Sequence, residues 1–371
     1  MATQLDPRGR ALARRHLSPR PPRQGARRDP RSGGVTVTAA SEPVAAAPAS
    51  TAPETDRVRL RPGWITIAAK EFADHLLSVR LYVLLIVLGI AALIPLYFAA
   101  EQIRSVAANA SITPAVFLYL FQLSPEGVPI LRVDLWVGIS APLLGVAFAF
   151  DAVNGERHEG TLPRLLSQPI HRDDVINGKF AAGLAAISTA LFAVVLVISG
   201  VGLLRLGIVP ASSEIIRVAL WLLTTILYVA FWLAFGLLLS VVIRRAATSA
   251  LVAFGTWLFV AVPFFGPFLI SFISGVLAPD DPNARHLIGQ VLPSTLYSDI
   301  SSVILNPTVQ TTSRAVTTSQ YLQAQSFFPD SALSVTQSLI LIWPPIVVLF
   351  GLTVGCFALA YVRFMRQEVR A

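Results

Sequence analysis

Six long stretches, each apolar and free of charged residues, dominate the chain between Leu81 and Val362: Leu81–Ala100, Leu135–Phe150, Phe180–Leu204, Val218–Ile243, Ala250–Leu277 and Leu339–Val362. An α-helix of about 20 apolar residues spans the roughly 30 Å hydrocarbon core of a bilayer. These stretches therefore predict an all-α, polytopic membrane domain with six transmembrane helices. The 371 residues hold six such spans and their loops, and are too few for twelve. Composition agrees, with 54% apolar and 13% charged residues and a mean hydropathy of +0.65.

The first stretch carries twelve Leu, Ile, Val or Phe residues. At about 0.3–0.6 kcal/mol each they give roughly 4–7 kcal/mol of gross insertion preference, more than one central charge costs. The second stretch, between Asp134 and Asp151, is only about 24 Å long and holds Pro142, which suits a place inside the bundle. The fifth contains Pro263 and Pro267, which remove two backbone donors and predict a kinked, broken or re-entrant helix near its outer end.

Residues 1–56 differ from the rest, being rich in Arg, Pro, Ala, Ser and Thr without a sustained apolar period. A disordered basic tail is expected there. Its nine arginines suit anionic lipid or nucleic acid, or simply a solvated tail. No apolar core follows them before Leu81, which argues against a cleavable secretory signal and leaves an organelle transit peptide as a minor alternative. Residues 57–80 then read as an amphipathic interfacial helix. Ile65, Ala68, Phe72, Leu76 and Val79 fall on one face, Thr66, Lys70, Asp74 and Ser78 on the other, and Trp64 suits the headgroup layer.

Lysine and arginine divide unequally between the two sides of a six-span arrangement, 23 against 6, and 14 against 6 without the basic tail. The excess assigns both termini and the loop 151–179 to the cytoplasmic side of the cell membrane.

Several chemistries are excluded. Gly178-Lys179 is followed by Phe180 and lacks the leading glycine of a phosphate-binding loop, so the chain does not hydrolyse ATP by itself. His158-Glu159 has Leu162 where a zinc protease needs its second histidine. The five histidines are scattered and read as solvated loop residues, and Cys356 stands alone, so no metal site or resident cofactor is expected. Two further classes are disfavoured: the spans hold none of the ionisable groups an ion-driven carrier usually needs, although serine, threonine and broken-helix carbonyls could still bind sodium, and no nucleophile and base pair for an intramembrane enzyme.

The loop 151–179 is the most informative polar segment. Leu162, Leu165, Leu166 and Ile170 form an apolar set among Arg164, Gln168 and Arg172. A short surface helix ended by Pro169 would offer this mixed face to a soluble partner, although an ordinary amphipathic turn has the same pattern. Asp173 and Asp174 suit the N-terminus of the third span. The loop 278–338 is long and moderately polar, with Leu287–Leu305 able to form a short apolar helix on the outer surface. It reads as a structural cap or as a substrate-binding element.

Three segments carry a family resemblance: Ala69–Arg80, Phe150–Lys179, with its Glu-x-x-x-Gly-Thr-Leu run from Glu156, and Leu292–Tyr297. Together they resemble the ABC-2 type transporter permeases, nearest the subgroup that includes the permease of nitrous oxide reductase maturation. The likeness covers about residues 60–370. It implies six spans per subunit, a second permease subunit as partner in a homodimer or heterodimer, and separate ABC ATPase subunits that bind the ATP. It further implies a coupling helix within the loop 151–179, with Glu156, Gly160, Thr161, Leu162, Leu166, Ser167, Pro169, Arg172 and Lys179 at or near the ATPase contact. Pro163 departs from the expected pattern and falls at the start of that helix.

The resulting expectation is a permease subunit of an ATP-driven exporter in the lipid bilayer, with no nucleic-acid partner and an unspecified substrate. Ser140, Thr224, Thr225 and Ser240 are the polar span residues expected along the substrate path. A membrane scaffold or channel whose loop docks some other protein is the alternative from a different class.

Overall fold

The computed structural model of the protein describes residues 62–105, 115–160, 171–307 and 333–366. The expectations for the tail 1–56, for Thr161, Leu162, Leu166, Ser167 and Pro169, and for residues 308–332 lie outside the described residues. Among the described residues the architecture is all-helical, with no strand.

In chain order the helices are α1 (Gly63–Leu76), α2 (Val79–Ser105), α3 (Tyr119–Gln122), α4 (Val133–Ala149), α5 (Asn154–His158), α6 (Arg172–Leu206), α7 (Ser212–Val242), α8 (Ala246–Ala261), α9 (Gly266–Leu277), α10 (Pro282–Gly289), α11 (Pro293–Leu305) and α12 (Val335–Met365). Helices α2, α6, α7 and α12, and the run from Val133 to His158 that joins α4 and α5, are long and apolar enough to cross a membrane. The pair α8 and α9, bent by 50° at residues 262–265, supplies the sixth candidate span. The protein is thus a multi-pass membrane protein. The bend falls at Pro263, and Pro267 stands in the first turn of α9, where its missing N–H costs no intrahelical bond.

Helix α4 lies at the centre, against α2, α6, α7 and α8. Its most apolar window is 72% buried, against 22% for α12, so the short second stretch is an interior element as its length suggested. The α4–α7 contact is made backbone to backbone. A Cβ on Gly145 would stand 2.8 Å from the Val229 carbonyl oxygen and 2.9 Å from the Leu233 nitrogen, closer than any side chain tolerates. Apolar burial contributes little between helices in lipid, so close approach through small residues is what holds such a contact.

The apolar segment Leu287–Leu305 is not one helix on the outer surface. Pro293 starts a new helix, α11, which is inserted against α7, α12 and α4. Leu296, Ile300, Val303 and Leu305 are fully buried, and the Tyr297 ring stacks on Tyr228 at 4.6 Å. The physical reason is polar matching as well as apolar burial. Trp221 Nε1 donates to the Ser301 hydroxyl at 3.1 Å, and Gln122 Nε2 donates to the Ser301 and Ser302 carbonyls. Arg217, a residue of α7 buried at 4% exposure, donates to the Val303 and Ile304 carbonyls, to Ser338 Oγ and to the Leu333 carbonyl. A cation thereby satisfies carbonyls that the C-terminal turn of α11 leaves open.

Helix α1 occupies Gly63–Leu76, the middle of the expected interfacial segment, while Val79 already belongs to α2. Phe72 and Leu76 pack on the core and Lys70 pairs with Asp74 at 3.5 Å on the exposed side. Its closest partner is α6: a Cβ on Gly178 would stand 2.7 Å from Ile67 Cγ2 and 3.1 Å from the Trp64 carbonyl oxygen. Glycine at 178 is what lets the two helices touch.

Candidate functional site

Helices α1, α5 and α6 meet at the end of the bundle where α4 ends and α6 begins. Helix α6 begins at Arg172, eight residues before its apolar stretch, because Val175 and Ile176 bury one face while Asp174 caps the first turn. The Asp174 carboxylate accepts from the His171 N–H at 3.3 Å and from the Trp64 N–H of α1 at 3.0 Å. One side chain therefore closes the start of α6 and ties α1 to it.

One turn further along α6, Lys179 is buried and its Nζ donates to Glu71 Oε1 of α1 at 3.1 Å and to Glu156 Oε1 of α5 at 2.6 Å. The two carboxylates approach from different elements, 108 and 23 positions away in sequence, and Lys179 is the joint between them. Beside this joint, Arg80 donates to the Ala147 carbonyl at 2.7 Å and, through both terminal nitrogens, to Asp151 at 3.0 and 2.8 Å. Its guanidinium also lies over the Phe150 ring, 5.2 Å from the centroid.

The fourth attachment is to α7. The Ser240 hydroxyl accepts from the Val153 and Asn154 N–H groups at 2.9 and 3.2 Å, and Asn154 Nδ2 donates to the Ile243 carbonyl at 3.2 Å. Asn154 is fully buried. Segment 151–158 is thus bonded directly to α2, α6 and α7, and through Lys179 to α1. Beyond it the chain turns at Gly160, whose φ of +68° is a left-handed conformation that disfavours any residue with a Cβ.

These attachments surround an open cavity of about 620 Å³. Glu71, Asp151, Glu156 and Glu159 line it together with Arg80, Lys179 and His75. The His75 ring rests on Phe148 at 4.6 Å. Burial pushes its pKa below the ordinary 6.5, nearby Lys179 and Arg80 push the same way, and Glu71 and Asp74 oppose them. Among the described residues no three His, Cys, Asp or Glu side chains are grouped to hold a metal ion.

The structure brings Glu156 and Lys179 into direct contact and places Gly160 and Arg172 on either side of the segment 161–170. Glu71, Arg80, Asp151 and Asn154 belong to the same cluster, and the sequence pattern does not single them out. Their partners are distant in sequence, and only the amphipathic face of α1 hints that Glu71 turns inward. The four span residues Ser140, Thr224, Thr225 and Ser240 are buried inside this one chain. Thr224 and Thr225 donate to the Leu220 and Trp221 carbonyls, Thr225 also meets the Tyr297 hydroxyl at 3.1 Å, and Ser240 holds the 153–154 turn. The structure does not bring them to one cavity.

Comparison with known proteins gives two findings. The model of a family described as "ABC-2 family transporter protein" matches residues 65–369. A protein of Stutzerimonas stutzeri named "Probable ABC transporter permease protein NosY" is 32% identical over 130 residues, covering 33% of this chain and 44% of that protein. The aligned part is thus less than half of that relative's length.

Proposed function

The chain belongs to the ABC-2 family of transporter proteins, and from that premise we propose that it is the permease subunit of an ATP-driven exporter. In this reading, separate ATPase subunits bind and hydrolyse ATP, and a second permease subunit completes the transport path. The loop 151–179 and both termini lie in the cytoplasm, the side favoured by the 14 to 6 excess of Lys and Arg outside the basic tail.

The observation that carries this proposal is the Lys179 joint. A coupling element must convert force from a soluble partner into motion of spanning helices, and a loop on a flexible stem would absorb that force. Here the stem is fixed to α6 by Lys179, through Lys179 to Glu71 of α1, to α2 by Arg80 and Asp151, and to α7 by Ser240 and Asn154. A push on residues 161–170 by the closing ATPases is therefore delivered to four helices at once, as rigid-body displacement of packed elements. The chain's own residues transmit motion and catalyse nothing.

Substitutions at the stem test the proposal. Gly160→Ala strains the left-handed turn by about 1 kcal/mol, Gly160→Pro forbids it, and Gly160→Asn retains it. In the permease–ATPase complex, Gly160→Pro and Glu156→Ala should abolish the dependence of ATPase activity on the membrane subunit, Gly160→Ala should weaken it, and Gly160→Asn should preserve it. Unchanged activity in both Gly160→Pro and Glu156→Ala would refute the coupling role.

A further inference from the structure

His75 stands where α1, α2, α4 and α6 come together, and the coupling role of the stem leaves it without a task. It lies half-buried in the last turn of α1, with its ring on Phe148 of α4, and it lines the same open cavity as Lys179, Glu156 and Arg80. Histidine is the side chain whose ordinary titration falls between about pH 5 and 8. The ionisable groups that face it come from every element around the cavity. Glu71 and Asp74 belong to α1, Arg80 to α2, Asp151, Glu156 and Glu159 to the segment after α4, and Lys179 to α6.

Most of these carboxylates are already engaged. Asp74 pairs with Lys70, both oxygens of Asp151 accept from Arg80, and Lys179 holds Glu71 and Glu156, while Glu159 is exposed. A neutral imidazole leaves this arrangement undisturbed; an imidazolium adds a third cation beside Arg80 and Lys179. Its nearest counter-charge along α1 is Glu71, four residues before it and so on the same helix face, one turn away. Glu71 is also the residue through which Lys179 ties α6 to α1. A protonated His75 and Lys179 therefore compete for one carboxylate, and the two cations repel each other. The pull of burial, Lys179 and Arg80 on the imidazole has the matching sign, since each opposes its charged form and together they outweigh Glu71 and Asp74. Uptake of a proton thus works against the packed arrangement.

We propose that His75 is a proton switch on the Lys179 joint: protonation draws Glu71 away from Lys179 and loosens α1 from α6. A fall in pH on the side of the cavity then slackens one attachment of the stem, while Ser240 and Asn154 still hold it to α7. The regulatory meaning rests on the coupling role proposed above; the loosening of α1 does not.

The test is hydrogen–deuterium exchange of the purified full chain in neutral detergent at about pH 7.5 and about pH 5.5, both above the ordinary carboxylate range, with rates corrected for the intrinsic pH dependence of exchange. Protection of the α1 amides should fall with pH, by at most about ten-fold for each unit below 6.5, the limit for one proton. His75→Phe should abolish the fall, with His75→Gln taking its place if that variant does not fold. Glu71→Gln should leave α1 less protected at both pH values alike, because the contested carboxylate is gone. Equal protection of α1 at the two pH values overturns the proposal, as does an undiminished fall in the His75 variant or in Glu71→Gln. The same pH step on the permease–ATPase complex separates this inference from the coupling role. A pH-sensitive α1 beside ATPase activity that is indifferent to the membrane subunit refutes coupling and leaves the switch standing.

Discussion

Replacing Lys179 by methionine keeps a long apolar stem in the site and removes the cation. In the native joint Nζ lies 3.1 Å from Glu71 and 2.6 Å from Glu156, with the lysine 6% exposed and the two carboxylates 17% and 23% exposed. At an effective dielectric constant of about 20, each attraction is on the order of 5 kcal/mol before the cost of withdrawing the charges from water. Removing one member of a buried ionic cluster typically costs about 3–5 kcal/mol, because the remaining charges are left uncompensated. The partial exposure of both carboxylates puts Lys179→Met at the lower end, about 3 kcal/mol. In thermal unfolding followed by tryptophan fluorescence, this corresponds to a fall of roughly 4–5 °C. The triple variant Lys179→Met, Glu71→Gln, Glu156→Gln removes the uncompensated charges and should recover most of the loss. A Lys179→Met protein that melts within about 1 °C of wild type would refute the reasoning. So would a triple variant as unstable as the single one.

Two further predictions follow from the packing and the charges. His75 is buried in its neutral form, with a pKa below the unfolded value of 6.5. The unfolded chain therefore binds the proton more readily, and stability should be complete above pH 6.5 and decline as pH falls below it, a slope that His75→Phe should reduce in pH-dependent melting. Gly145→Ala forces α4 from α7 and should cost about 1–3 kcal/mol. Gly200→Ala in α6, where a Cβ meets nothing within 4 Å, should be neutral or stabilising by up to about 1 kcal/mol, and chemical or thermal unfolding separates the two.

Apolar length and composition carried most of the architecture. The spans, the interior position of Leu135–Phe150 and the break near Pro263 each rest on a local property: length, charge or a missing N–H. The N-terminal capping by Asp174 was legible for the same reason, since a carboxylate in the first turn needs only its own helix. What escaped is tertiary. The segment 287–305 reads as a surface helix because its apolar face is short, and only the pairing of Trp221, Gln122 and Arg217 with its serines and carbonyls draws it into the bundle. Lys179 reads as a loop residue at a contact surface because its two partners are on other elements. Ser240 looks like a polar residue available to a substrate, whereas its oxygen is spent on the backbone of residues 153 and 154.

The central claim is that the stem around Lys179 serves a separate ATPase. Its most direct test is to extract the tagged full chain from native membranes in mild detergent and identify stoichiometric partners by mass spectrometry, with ATP hydrolysis assayed on the same sample. The account requires a P-loop ATPase in a one-to-one ratio with the permease. A stable complex that contains no ATPase and hydrolyses no ATP would contradict it.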